Sequence, residues 1–156
     1  TLQTSRNVQN TAFANLRRAL KPRGGLAFAA WRSPEDNPMA LLPLRAAAPF
    51  LPEPPRFETD APGRFAFADR ARIQAILSAS GWRGIDIAPL DVASALSFDE
   101  LMTMSLRIGP LGPVLKAADE PLRERIGEAV AAAVAPSIRD GVARMNSACW
   151  LVTAKA

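Results

Sequence analysis

Side chains able to carry covalent or metal chemistry are few in this sequence. Its 156 residues include no histidine, no tyrosine and a single cysteine, Cys149. This composition excludes a Ser-His-Asp or Cys-His catalytic centre, a histidine-ligated metal and an internal disulfide.

Five aromatic and basic side chains are candidates for binding a small molecule: Trp31, Arg64, Phe65, Phe67 and Arg107. Trp31 ends an apolar run, and ligands of α/β sheets bind beyond the carboxyl ends of strands. Arg64, Phe65 and Phe67 lie where a proline-rich segment returns to a helix, so they suit the wall of a pocket. The alternatives are packing for Trp31, an anchor for the loop at 64–67, and dipole stabilisation at a helix end for Arg107.

The remaining reactive groups favour structural interpretations. Asp86 and Asp91 have an odd spacing, which places them on opposite faces of a regular strand and favours solvated strand ends over an acid–base pair. Cys149 lies within an apolar run, so we expect a buried, unreactive thiol. Met102 and Met104 are typical of core filling. We assign no metal site and no catalytic residue.

The charge pattern gives a weak argument for an anionic partner. The net charge is +4, and arginine accounts for 16 of the 19 cations. An excess of this kind suits anionic partners, but the arginines are scattered and the longest run is Arg17-Arg18. We therefore favour solvated faces over nucleic-acid binding. Neither a run of about 20 apolar residues nor a signal-peptide pattern occurs, so we expect no membrane association and a cytoplasmic location.

Hydrophobic spacing predicts the elements that position these side chains. After an unpatterned lead-in at 1–11, Phe13, Leu16 and Leu20 indicate one face of a helix. The apolar run from Leu26 to Trp31 is typical of a strand covered on both faces. Further strands are predicted over 85–92 and 148–154. Three helices are predicted to begin at N-caps, namely Asp69, Ser97 with Glu100 as a capping box, and Asp119.

Two insertions interrupt this pattern within one domain at 12–156. Eight prolines fall between residues 34 and 62, which indicates a lid-like insertion over 33–68. A helical insertion is predicted over 94–140. The order helix, strand, helix, strand, helices, strand predicts an α/β fold.

The segment 12–156 resembles the C-terminal half of class I S-adenosylmethionine-dependent methyltransferases. Residues 13–28, FANLRRALKPRGGLAF, are similar to the late helix and fifth strand of that family, whose turn usually reads Leu-Lys-Pro-Gly-Gly-Arg-Leu. The other matches follow in order: 31–34 with 37–38, then 62–69, 107–110 and 148–152. This ordered set resembles a small-molecule branch that carries a lid after strand five.

The resemblance implies a truncated Rossmann-like sheet of strands five, seven and six, with helices and a helical or loop insertion. It implies in-line methyl transfer to a small-molecule acceptor, whose pocket would include Trp31, Arg64, Phe65, Phe67 and Arg107. The family holds S-adenosylmethionine on a Gly-rich turn after strand one, whereas none of the nine glycines here is spaced Gly-x-Gly. We therefore expect this cofactor in the intact enzyme and none bound by this chain alone.

A second function class remains open. The chain is alternatively a non-catalytic remnant that acts as a structural or protein-interaction module. In either case the strand at 26–31 would lack its family neighbour, strand four. Because unpaired strand edges associate, we expect a homo-oligomer formed through that edge.

Overall fold

A computed structural model describes residues 2–55 and 63–156, and it confirms the α/β class. The strands are β1 Gly25–Trp31, β2 Arg83–Ser97, β3 Ile138–Arg139 and β4 Val142–Lys155. They form one open antiparallel sheet in the order β1-β4-β2, with β3 paired to β4. The helices are α1 Leu2–Ala19, α2 Pro38–Ala47, α3 Arg70–Ala79, α4 Phe98–Thr103, α5 Leu111–Ala117 and α6 Glu120–Val134. A π-helical turn, Met104–Ile108, follows α4.

The described residues divide into two compact units. The first unit contains residues 2–33, 63–92 and 148–156, and the second contains 34–55 and 93–147. Strands β2 and β4 contribute residues to both.

The first unit has its core between the sheet and helices α1 and α3. Its fully buried members include Ile73 and Leu77 of α3 and Val152 of β4. Phe13 of α1 and Phe28 of β1 pack against this cluster. Alternation along β1 explains the geometry, because only every second side chain points to the helices.

A tight turn connects α1 to β1. The Gly24 amide donates to Lys21 O over 2.8 Å, and Arg23 adopts a φ of 66°. A Cβ on Gly24 would lie 2.9 Å from both Leu20 Cβ and Lys21 O, so only glycine fits. From this turn, β1 runs antiparallel to β4 with Gly25 opposite Lys155 and Trp31 opposite Cys149.

All three predicted N-caps are confirmed. Asp69 accepts from the Ala71 amide over 2.8 Å, and Asp119 accepts from the Leu122 amide over 3.0 Å. Ser97 and Glu100 form the reciprocal capping box. The hydrogen bonds from the Ser97 backbone and then from its hydroxyl hold the pKa of Glu100 below its ordinary value.

The second unit has a helical core of its own. The fully buried side chains Ile126, Val130 and Val134 share one face of α6. They pack in one cluster with buried residues of α2, α4, α5 and β4, namely Leu44, Ala47, Leu101, Leu111, Leu115 and Ala143. This unit includes residues 34–55 of the predicted lid-like insertion 33–68, whereas Ser33 and residues 63–68 belong to the first unit. Residues 56–62 of that prediction lie outside the described residues.

The predicted start of the first helix is wrong. Helix α1 begins at Leu2, so residues 2–11 of the unpatterned lead-in are helical. Tertiary hydrogen bonds substitute for the missing hydrophobic pattern. Arg72 Nη2 donates to Gln9 Oε1 over 3.3 Å, and Ser80 Oγ lies 3.0 Å from Asn10 O.

The predicted bounds of the later strands are too short. Strand β2 continues to Ser97 and so enters the predicted helical insertion 94–140. Strand β4 begins at Val142, directly after that predicted insertion. The early start of β4 reflects its hairpin with β3. Asp140 and Gly141 have φ values of 52° and 80°, as a two-residue Asp-Gly turn requires.

The prediction that β1 is covered on both faces is also wrong. Leu26 and Phe28 face the core, whereas Ala27 and Ala29 are exposed. Strand β1 is an edge strand with β4 as its partner. The run from Leu26 to Trp31 is apolar on its exposed face because that face carries the small side chains of Ala27 and Ala29, which tolerate contact with solvent.

Candidate functional site

The candidate site lies at the carboxyl end of β1, where Trp31 is half-buried. Arg64 places its guanidinium carbon 5.1 Å from the centroid of the Trp31 ring. Phe65 approaches the same ring edge-on, with 6.4 Å between centroids. The structure therefore brings together three of the five predicted site residues around one indole.

Turn geometry explains why residues 63–68 hold Arg64 and Phe65 there. The Ala66 amide donates to Gly63 O over 3.1 Å, and the Ala68 amide donates to Phe65 O over 3.0 Å. Trp150 Nε1 donates to Ala68 O over 2.8 Å, which ties the turn to β4. The turn is thus anchored to the sheet that carries Trp31.

Phe67 takes a different direction from Arg64. Its ring lies 5.9 Å from Phe13 and 6.2 Å from Phe28, in edge-to-face contacts within the core. Phe65 is also almost fully buried, at 2% exposure. This placement favours the anchoring alternative for Phe67, while the contact of Phe65 with Trp31 keeps it in the wall of the site.

A second cation lies beside the site and was not predicted. Arg32 Nη1 is 3.6 Å from Asp91 Oδ1, and the Arg32 guanidinium lies 5.6 Å from the Trp150 ring centroid. The sequence could have indicated Arg32, because it directly follows Trp31, and residues at the carboxyl end of a strand lie at the ligand-binding edge of the sheet. Asp91 serves here as an ion-pair partner.

Cys149 is buried, as predicted. Burial raises the pKa of its thiol, the Arg32 charge opposes that shift and the Asp91 carboxylate adds to it. A thiol with a raised pKa is protonated at neutral pH and is a poor nucleophile. The site therefore offers cation–π surface, one carboxylate and hydrogen-bonding capacity, which suit binding and orientation of a ligand.

Arg107, the fifth predicted site residue, belongs to the second unit. It is exposed and lies within the π-helical turn, which closes with a hydrogen bond from the Gly109 amide to Met104 O over 3.1 Å. The second unit also has a cavity of about 270 Å³. Prolines 34, 54 and 55 and the apolar residues Leu41, Leu44 and Ala48 line it, with Glu35 and Arg45 as its charged members.

Within residues 2–55 and 63–156, no three His, Cys, Asp or Glu residues group as metal ligands would. None of the described helices is both long and apolar enough to cross a membrane.

Comparisons with protein-family models and with curated proteins found no match to this chain.

Proposed function

We propose that this chain is the C-terminal segment of a class I S-adenosylmethionine-dependent methyltransferase that acts on a small molecule. The observation that carries the proposal is the strand order β1-β4-β2, with the last strand of the chain lying between the two earlier ones. This order corresponds to strands five, seven and six of the family that the sequence resembles. In this proposal the segment supplies half of the sheet and the acceptor pocket.

The site at Trp31 supports an acceptor-binding role. A half-buried indole, the cation Arg64 and the Arg32–Asp91 pair lie at the carboxyl end of β1 or beside it. Such groups contribute to a two-substrate reaction by holding the acceptor in one orientation. This positioning removes much of the entropic cost of bringing the two substrates together. Trp31 and Arg64 would bind the acceptor, with Phe65 supporting the indole.

Among the described residues, the glycine turn before β1 does not fit a binding site for S-adenosylmethionine. Cofactor sites of this type need glycines where the backbone approaches the ligand. Gly24, in the turn before β1, is instead closed off by Leu20 and Lys21 of its own chain. We therefore derive no step through the cofactor from these residues.

The first test compares the 156-residue chain with a longer protein that also includes the residues encoded upstream of Thr1. Isothermal titration should detect no S-adenosylmethionine binding to the 156 residues tighter than about 100 μM. The longer protein should bind it at least about tenfold more tightly than that limit. Failure of the longer protein to bind would overturn the proposal, and tight binding by the 156 residues would show that they contain the cofactor site.

Variants of the longer protein test the acceptor pocket. With a dialysable cell extract as the source of acceptor, Trp31→Ala and Arg64→Gln should reduce release of S-adenosylhomocysteine at least about tenfold, since each removes a contact to the acceptor. Their affinity for S-adenosylmethionine should stay unchanged. Arg70→Gln, an exposed arginine at the start of α3, is the matched control. Equal loss of cofactor affinity in the variants would contradict a pocket role.

A specific observation also favours the alternative of an interaction module. Strand β1 pairs with β4 on one side, and its other edge has no backbone partner among the described residues. The run from Leu26 to Trp31 contains no charge and no proline, the usual protections of an edge strand. We propose that a second copy of the chain occupies this edge, with the two β1 strands antiparallel about a twofold axis.

Substitution of Ala29 tests this self-association. Arg32 N donates to Ala148 O of β4, so alternation points the Ala27 and Ala29 amides away from β4. Sedimentation at micromolar protein should show a dimer for the unmodified chain and for Ala29→Ser, which keeps the amide. Ala29→Pro removes the outward amide and should give a monomer. A monomeric unmodified chain up to about 100 μM would refute pairing through β1.

A further inference from the structure

Trp31 differs from the other two tryptophans in the hydrogen bonding of its indole. Trp82 Nε1 donates to Phe13 O over 3.1 Å, and Trp150 Nε1 donates to Ala68 O over 2.8 Å. Trp31 is half-buried, yet its Nε1 has no acceptor among the described residues and keeps accessible surface. A donor in this position, at the carboxyl end of a strand, can be reached by a ligand.

The guanidinium of Arg64, which lies against the Trp31 ring, is also without an acceptor. Arg64 is half-buried, and it forms no hydrogen bond or ion pair with another described residue. Each of its side-chain nitrogens keeps accessible surface. An indole has no formal charge, so it leaves the positive charge of Arg64 unbalanced. Because partial burial makes an unbalanced charge costly, an anion bound to this guanidinium would be stabilising.

The neighbouring charges favour a ligand that carries a single negative charge. Arg32 Nη1 lies 3.6 Å from Asp91 Oδ1, so these two charges balance each other. Of the three charged groups assigned to the site above, only Arg64 lacks a counter-charge within the described residues. A carboxylate supplies one charge and two coplanar oxygens, which match the fork of donors on a guanidinium. A phosphate monoester carries nearly two charges at neutral pH and would leave one unbalanced.

We infer that the site at Trp31 binds a small organic acid through its carboxylate. Arg64 supplies the charged donors, and Trp31 Nε1 supplies a further donor beside them. Phe65 packs edge-on against the indole, with 6.4 Å between centroids, and so holds the ring in place. That this acid is the methyl acceptor rests on the proposed function, whereas its binding to Arg64 does not.

Sodium benzoate is the probe, and the indole N–H signal of Trp31 in nitrogen-15-labelled protein is the reporter, assigned with Trp31→Phe. At constant ionic strength, benzoate should shift this signal saturably, with a dissociation constant on the order of 5 mM. The signal of the buried Trp82 should stay in place. Benzamide has the same shape without the charge and should bind at least about tenfold more weakly. Equal binding of benzamide, or no saturable shift with benzoate, would overturn the inference.

Two variants with the same loss of charge locate the binding. Arg64→Gln should weaken benzoate at least about tenfold, whereas Arg70→Gln, which changes an exposed arginine, should leave it unchanged. The signals of Trp82 and Trp150 report whether each variant is folded, because their N–H groups are hydrogen-bonded to backbone carbonyls. Equal weakening in both variants would refute the role of Arg64. If Arg64→Gln does not fold, the comparison with benzamide on the unmodified protein decides.

Fractionation of the cell extract tests separately whether the methyl acceptor is a carboxylic acid. Acceptor activity, measured as release of S-adenosylhomocysteine by the longer protein, should be retained by an anion exchanger at neutral pH. It should be released at about pH 2.5, where carboxylates lose their charge and phosphates do not. Activity in the unretained fraction, or activity still retained at low pH, would refute a carboxylate acceptor and leave methyl transfer intact. Failure of the longer protein to bind S-adenosylmethionine would refute methyl transfer alone, since benzoate binding does not depend on it.

Discussion

Replacing Leu77 with alanine is expected to lower the free energy of unfolding of the first unit by about 2–5 kcal/mol. Leu77 is fully buried in α3 and belongs to the cluster that includes Ile73, Trp82 and Val152. The smaller side chain loses its transfer free energy and leaves a cavity that the neighbouring helix and strands only partly close. Urea unfolding followed by tryptophan fluorescence is the measurement, because all three tryptophans lie in the first unit.

The matched control is Leu16→Ala in α1. Leu16 is 51% exposed, so the same substitution removes little buried surface, and the expected change is below about 0.5 kcal/mol. The sequence alone predicts similar losses, because Phe13, Leu16 and Leu20 share the helical spacing of a buried face. A loss at Leu16 as large as that at Leu77 would contradict the burial described for α1.

Replacing Gly112 with alanine is expected to destabilise the second unit by about 2–3 kcal/mol. A Cβ on Gly112 would lie 2.5 Å from Arg107 O and 3.1 Å from the Arg107 carbonyl carbon. The obstacle is backbone, and the Gly112 amide is itself held by Gly109 O over 3.0 Å. Relief of the clash therefore requires the π-helical turn and the start of α5 to separate. Urea unfolding followed by far-ultraviolet circular dichroism, which reports the helices, measures the effect.

Gly127→Ala in α6 is the control and should have the opposite sign. Apart from the adjoining residues and the nearby backbone of α6 itself, no atom lies within 4 Å of a Cβ built at Gly127, so alanine adds helix propensity without a clash. The expected gain is up to about 1 kcal/mol. If Gly112→Ala and Gly127→Ala both lower the free energy of unfolding, the space available for a Cβ at each glycine does not determine the change in stability.

Part of the candidate site was predictable from local rules. Trp31 ends an apolar strand and Arg64 follows a glycine, so both positions could be proposed from the order of elements. That Arg64 stacks on Trp31 while Phe67 packs on Phe13 and Phe28 was not predictable. Phe65 and Phe67 are the same residue type in the same turn, so the local sequence does not indicate which of them contacts Trp31 and which contacts Phe13 and Phe28. The contact partners, which come from distant parts of the chain, decide between them.

The sequence by itself determined the features that depend on neighbouring residues. The N-caps at Asp69 and Asp119, the capping box at Ser97 and the glycine turn before β1 follow from hydrogen bonds and steric limits within a few positions. Their confirmation reflects the short range of these effects.

Only the tertiary structure decided where the long elements begin and which apolar faces are buried. Helix α1 extends to Leu2, and Gln9 and Asn10 in its N-terminal half contact α3. Strand β1 exposes Ala27 and Ala29 because its partners lie on one side and one face. These outcomes depend on residues more than sixty positions away, and burial free energy is a property of the packed neighbours rather than of the local pattern.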